Sequence, residues 1–78
     1  MDVSTKVKKC ICDVLGTEVN ISDDANLMYD YNMDSIQIMN VIVQLEDEFD
    51  IEFEFDDLNI DNMLVFSKLV DMVNRMIE

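Results

Sequence analysis

The sequence predicts an all-α domain: a small bundle of three main helices plus one short helix, with a long loop between the first and second main helices. Three observations carry this. Apolar residues recur at helical spacing in three separate stretches. The chain has no proline and a single glycine, Gly16, so little interrupts those stretches. One run alternates like a strand, but it has no partner run to pair with. The 78 residues make one domain, 1–78, with no room for a second core.

The first helix is expected over residues 3–15. Val3, Val7, Ile11, Val14 and Leu15 lie at helical spacing, with Lys6, Lys8, Lys9 and Asp13 between them. Gly16 stops it, as a glycine just past the last turn commonly does. Residues 17–33 show no sustained period and are rich in Asn, Asp, Ser and Thr, which reads as a loop. Val19, Ile21, Leu27, Met28 and Tyr31 pin that loop to the core. A loop so long in so small a domain points to function.

The second main helix opens at Ser35. Asp34 is the N-cap, and Gln37 completes a capping-box pattern. Ile38, Val41, Ile42, Leu45 and Phe49 share one face, the core face. Ile36 and Val43 lie well around the helix from it, with Asn40 and Asp47 between them and Met39 and Glu46 at the border. The result is a mixed apolar and acidic strip that starts beside Ser35. IEFEF, residues 51–55, reads as an extended connector tucking in Ile51, Phe53 and Phe55. A short helix is expected over Asp56 to Asp61, anchored by Leu58. The last helix carries Phe66, Leu69, Val70, Val73, Met76 and Ile77 toward the core.

Charge and composition exclude several functions. Eighteen acids against five Lys plus Arg give a formal net charge of −13. Phosphate backbones need clustered Lys and Arg, so nucleic acid is not a partner. Basic protein surfaces are the natural complement. No apolar run is long enough to span a membrane and none resembles a signal peptide. Cys10 and Cys12 are two apart, point different ways on a helix and cannot easily bridge each other. With no histidine, they are too few to hold zinc. Free thiols fit a reducing, cytoplasmic setting.

Ser35 then needs an explanation. No histidine exists to activate it, and no Gly-x-Ser-x-Gly turn surrounds it, so hydrolase chemistry is excluded. It is either part of the helix cap or the attachment point of an anion stabilised by the first-turn N–H groups. The alternation Asp30, Asn32, Asp34 invites comparison with an EF-hand. The sixth and twelfth positions of such a loop would be Ser35 and Val41 rather than glycine and an acid, which rules it out.

Residues 21–49, ISDDANLMYDYNMDSIQIMNVIVQLEDEF, resemble the arm-bearing region of acyl carrier proteins. Asp34-Ser35-Ile36 resembles that family's Asp-Ser-Leu attachment motif, and LEDEFDIE from Leu45 to Glu52 is similar to its acidic helix end. The resemblance implies 4′-phosphopantetheine attached covalently to Ser35, its thiol holding acyl groups as thioesters. It implies that Asp34 supports transfer by helping a phosphopantetheinyl transferase position magnesium and coenzyme A. It also gives Ile36, Met39, Asn40, Val43, Glu46 and Asp47 to a surface for that transferase and for acyl- or aminoacyl-loading and condensing enzymes with basic docking surfaces. The chemistry belongs to those partners, so the chain itself is not an enzyme.

The pattern departs from the family in places. Tyr31, Asn32 and Met33 stand where Leu-Gly-Ala is usual, and Glu54 where a proline is common. Gln37 and Asn40 replace acids found in fatty-acid carriers. The pathway therefore stays open between fatty-acid, polyketide and nonribosomal-peptide or aminoacyl chemistry. An unmodified acidic adaptor for a basic partner is the rival reading. The expected state is a free-standing monomer.

Overall fold

The computed structural model describes residues 2–54 and 64–77. Among the described residues there are four helices: α1 Val3–Leu15, α2 Leu27–Tyr31, α3 Ser35–Phe49 and α4 Phe66–Ile77. The three long helices match the expected ones. The expected short helix at 56–61 with Leu58, and the tucking of Phe55, lie outside the described residues. α1 packs against both α3 and α4.

Local devices fix both ends of α1. The Asp2 carboxylate accepts hydrogen bonds from the Ser4 backbone N–H at 3.2 Å and from its hydroxyl at 3.0 Å. At the other end Gly16 adopts φ 77°, and its N–H donates to the Cys12 carbonyl at 2.9 Å. A Cβ at Gly16 would meet nothing within 4 Å, so the left-handed backbone rather than crowding requires glycine.

The region expected to be loop contains α2, which is a correction. Asn26 caps it, its Oδ1 accepting from the Met28 and Tyr29 N–H groups at 3.0 Å each. Asp30 Oδ2 reaches back to accept from Asn26 N–H at 2.7 Å. Asn32 ends the helix at φ 57°, a conformation asparagine tolerates better than most residues. Five residues are too few to show a period, so their composition alone reads as loop.

Among the described residues, all four helices contribute buried side chains to one core. Val7, Ile11, Leu45, Leu69 and Val73 are essentially inaccessible, and Ile21, Ala25, Leu27 and Met33 bring the loop region into it. Each large apolar side chain so buried contributes roughly 1.5–3 kcal/mol. Cys10 packs in this core as a small hydrophobe, and both cysteines are free. Burial, together with the Glu48 and Asp13 carboxylates, pushes the Cys10 thiol above its ordinary value, while Lys9 opposes them.

α4 turns its core face somewhat differently from the expected one. Met72 is buried, whereas Ile77 in the last turn is 43% exposed. The face centres on Leu69, Met72, Val73 and Met76, which leaves Ile77 at its edge.

The start of α4 is held by tertiary contacts. Its Phe66 N–H donates to the Ala25 carbonyl at 3.0 Å, and its Ser67 N–H to the Asp23 carbonyl at 2.8 Å. In return Leu27 N–H donates to the Leu64 carbonyl at 2.7 Å, and Asn26 and Val65 form an antiparallel bridge. Loop carbonyls thereby satisfy donors that a helix N-terminus always leaves open. These bonds fix the loop, and with it the approach to Ser35.

Candidate functional site

Ser35 is the first residue of α3, and it is exposed. Its neighbours carry the cap. Asp34 Oδ1 accepts from the Gln37 N–H at 2.8 Å, and Gln37 Oε1 accepts from the Asp34 N–H at 3.1 Å, a complete capping box. Among the described residues, no side chain or backbone group hydrogen-bonds the Ser35 hydroxyl. Of the two uses open to Ser35, capping is thus already taken by Asp34.

The first intrahelical bond runs from Ile38 N–H to the Asp34 carbonyl at 3.0 Å. The N–H groups of Ser35 and Ile36 precede it, so the helix ladder leaves them open at its N-terminus. An anion attached there would sit at the positive end of the α3 dipole.

The approach to Ser35 is set by buried anchors on both sides. Met33 is 3% exposed and Ile38 5%, so exposed Asp34, Ser35 and Ile36 lie between two buried anchors. The sequence reading missed Met33. Its hydrophobicity was the available signal, but in a segment without a period nothing set it apart from the exposed Met39.

Of the residues expected on a partner surface, Ile36, Met39 and Val43 are 73%, 44% and 58% exposed, and Asn40 and Asp47 are also exposed. Glu46 differs. It is half-buried, and its Oε2 accepts a hydrogen bond from the Phe53 N–H at 2.9 Å. Nearby, Lys6 approaches Glu48 at 3.7 Å and lies 5.6 Å from the centre of the Phe49 ring.

Asp34, Ser35 and Ile36 are all exposed at the start of α3. A groove of about 740 Å³ runs along α1 and the start of the loop, lined by Lys8, Lys9, Cys12, Thr17 and Asn20 among others, and Asp34, Ser35 and Ile36 have no part in its walls. Among the described residues, no cluster of His, Cys, Asp or Glu is placed to hold a metal ion, and no helix is long and apolar enough to cross a membrane. An exposed hydroxyl without a neighbouring base can be modified by another protein but has little means to catalyse.

Comparison with known proteins agrees with that geometry. The family model for the phosphopantetheine attachment site matches residues 5–74. The chain is 32% identical over 75 residues to the acyl carrier protein of Buchnera aphidicola subsp. Schizaphis graminum (strain Sg), covering 95% of this chain and 92% of that one. It is 36% identical over 58 residues to the acyl carrier protein of Nitratidesulfovibrio vulgaris (strain DP4), covering 73% and 76%. It is 31% identical over 75 residues to the acyl carrier protein of Buchnera aphidicola subsp. Baizongia pistaciae (strain Bp), covering 95% and 94%.

Proposed function

The chain belongs to the acyl carrier protein family, and from that premise we propose that Ser35 is the residue through which it is loaded. The family's cofactor is covalently attached 4′-phosphopantetheine, and the protein is a carrier rather than an enzyme. One observation supports Ser35 above all: Asp34 and Gln37 complete the helix cap by themselves, leaving the Ser35 hydroxyl exposed and unengaged at the start of α3. Ser4, Ser22 and Ser67 do not follow an aspartate.

The residues around Ser35 fit the group. The hydroxyl oxygen would form the new ester bond to the pantetheine-side phosphorus of coenzyme A as the pyrophosphate P–O bond breaks, releasing adenosine 3′,5′-bisphosphate. Its proton would leave to a base supplied by the transferase. The first-turn N–H groups of Ser35 and Ile36 would then face the phosphodiester, which the α3 dipole stabilises by about 0.3–1 kcal/mol. Asp34 keeps one carboxylate oxygen in the cap and offers the other to the transferase complex, where it helps place magnesium and coenzyme A. Once attached, the group supplies a thiol that holds an acyl chain as a thioester.

Ile36, Met39, Asn40, Val43 and Asp47 form the exposed strip that partners read, with Glu46 at its border. The protein works as a monomer in the cytoplasm, as a single carrier domain, delivering acyl intermediates of fatty-acid or polyketide synthesis to loading and condensing enzymes with basic docking surfaces. A second cargo, aminoacyl or peptidyl groups, is favoured by one feature. The opening turns of α3 carry Gln37 and Asn40 in place of the acids common in fatty-acid carriers.

The test is intact mass after incubation with coenzyme A, magnesium and a broad-specificity phosphopantetheinyl transferase. A gain of one phosphopantetheinyl group, absent in Ser35→Ala, is expected. No gain with several transferases would count against Ser35 as the attachment point and favour an unmodified acidic adaptor.

A further inference from the structure

Four large apolar side chains stand out into solvent on α2 and α3. Tyr29 is 85% exposed, ahead of Ile36 at 73%, Val43 at 58% and Met39 at 44%. Nothing in the packing of α2 uses the Tyr29 ring. That helix is anchored on its other side, where Leu27 is fully buried and the Tyr31 hydroxyl donates to the Asn20 carbonyl at 2.8 Å. At about 100° per residue, Tyr29 lies roughly 160–200° around the helix from both anchors.

α2 is nevertheless a firm platform, because the Asn26 and Asp30 contacts and the Leu27 N–H bond to the Leu64 carbonyl hold it. The ring is therefore presented on a fixed support six residues ahead of Ser35, while Ile36 follows Ser35 directly. A tyrosine buries much area and loses little conformational entropy when immobilised, which makes it an effective interface anchor.

The charge around these residues defines what would cover them. From Ser35 to Leu45, α3 has no ionisable acid or base, whereas Asp30 and Asp34 before that stretch and Asp47 after it are exposed. An apolar centre with a carboxylate rim complements an enzyme surface that offers an apolar depression rimmed by Lys or Arg. A second copy of this chain is the wrong occupant, since each carries a net charge of −13 and the two repel.

We propose that Tyr29 belongs to the surface that partner enzymes grip, so that they clasp α2 and α3 together, on both sides of Ser35 in the chain. The contact is apolar at its centre, through Tyr29, Ile36 and Val43, and charged at its rim. This inference rests on the reading of Ser35 as the modified residue and adds α2 to an interface otherwise confined to α3.

Steady-state transfer from coenzyme A by a broad-specificity phosphopantetheinyl transferase tests it. The substrates are the wild-type chain, Tyr29→Ala, Tyr29→Phe, Ile36→Ala and Ile77→Ala, the last removing an exposed apolar residue of α4. Circular dichroism and melting curves establish that each variant is folded. Tyr29→Ala and Ile36→Ala should each raise KM for the carrier roughly five- to tenfold with kcat little changed. Ile77→Ala should behave as wild type, and Tyr29→Phe, which keeps the ring, should raise KM less than Tyr29→Ala. A wild-type KM for Tyr29→Ala beside an impaired Ile36→Ala would confine the interface to α3 and overturn the proposal. So would an equal rise for Ile77→Ala, which would mark a non-specific loss of apolar surface. Failure of the wild-type chain to accept the group at all would instead remove the Ser35 reading, and the proposal with it.

Discussion

Glu46 Oε2 accepts a hydrogen bond from the Phe53 N–H at 2.9 Å, tying the last turns of α3 to the connector that follows. The bond holds Phe53 in the core at 7% exposure, and it gives a residue of the acidic strip a structural duty. Hydrogen bonds to a charged acceptor contribute about 1.5–3 kcal/mol, toward the lower end where the acceptor is half-exposed. Glu46→Ala should therefore lower stability by about 1–2 kcal/mol in thermal melts. Asp47→Ala, which removes an exposed acid near the negative end of the helix dipole, should be neutral or slightly stabilising. Equal losses in the two would show that the Phe53 bond is unimportant.

Ser35→Ala should melt within about 0.5 kcal/mol of wild type, because the hydroxyl takes no part in the cap. Asp34→Ala should lose about 1 kcal/mol with the capping box. The pair separates function from stability at adjacent positions. A large loss in Ser35→Ala would mean that the hydroxyl supports the fold after all.

Asp50 ends α3 with φ 53°, a left-handed conformation that glycine adopts without penalty. Its carboxylate also stands with Glu46, Asp47 and Glu48 at the negative end of the dipole, where no basic residue in the last turn compensates. Asp50→Gly should stabilise by about 0.5–1 kcal/mol, raising Tm by about 2–8 °C in a domain of this size. An unchanged or lower Tm would count against both arguments.

The Cys10 thiol is pushed above its ordinary value of 9.0 by burial first and by Glu48 and Asp13 next. The unfolded chain therefore loses this proton before the folded one does. The stability linked to Cys10 is fully present below pH 9.0 and is lost as pH rises past it toward the folded value. Cys10→Ala should flatten that decline in melts taken from below pH 9.0 upward. At pH 8, Cys10 should also react with a thiol reagent more slowly than the less buried Cys12.

Repulsion among the 18 carboxylates should make stability depend on ionic strength. Tm is expected to rise with added sodium chloride, and further at equal ionic strength with magnesium. A Tm indifferent to both would show the repulsion to be minor.

The sequence alone determined what is governed within one or two turns of chain. The span of α1, its stop at Gly16, the opening of α3 at Ser35 and the capping of Asp34 by Gln37 follow from periodicity and from devices three or four residues long. The exposure of Ile36 and Val43 follows from their angle around α3. Net charge argued against nucleic acid, and the absence of histidine against hydrolytic chemistry, before any coordinates.

Tertiary structure decided the rest. α2 is too short for a period to show, although Asn26 and Asp30 already held its capping signal. The start of α4 depends on carbonyls of Asp23 and Ala25, far away in the chain, which no local pattern encodes. Met33 and Met72 are buried while Met39 and Ile77 are exposed, because the packing of neighbouring helices sets how much of each face is covered. Glu46 reads as one more surface acid until the connector returns and Phe53 brings its N–H within reach.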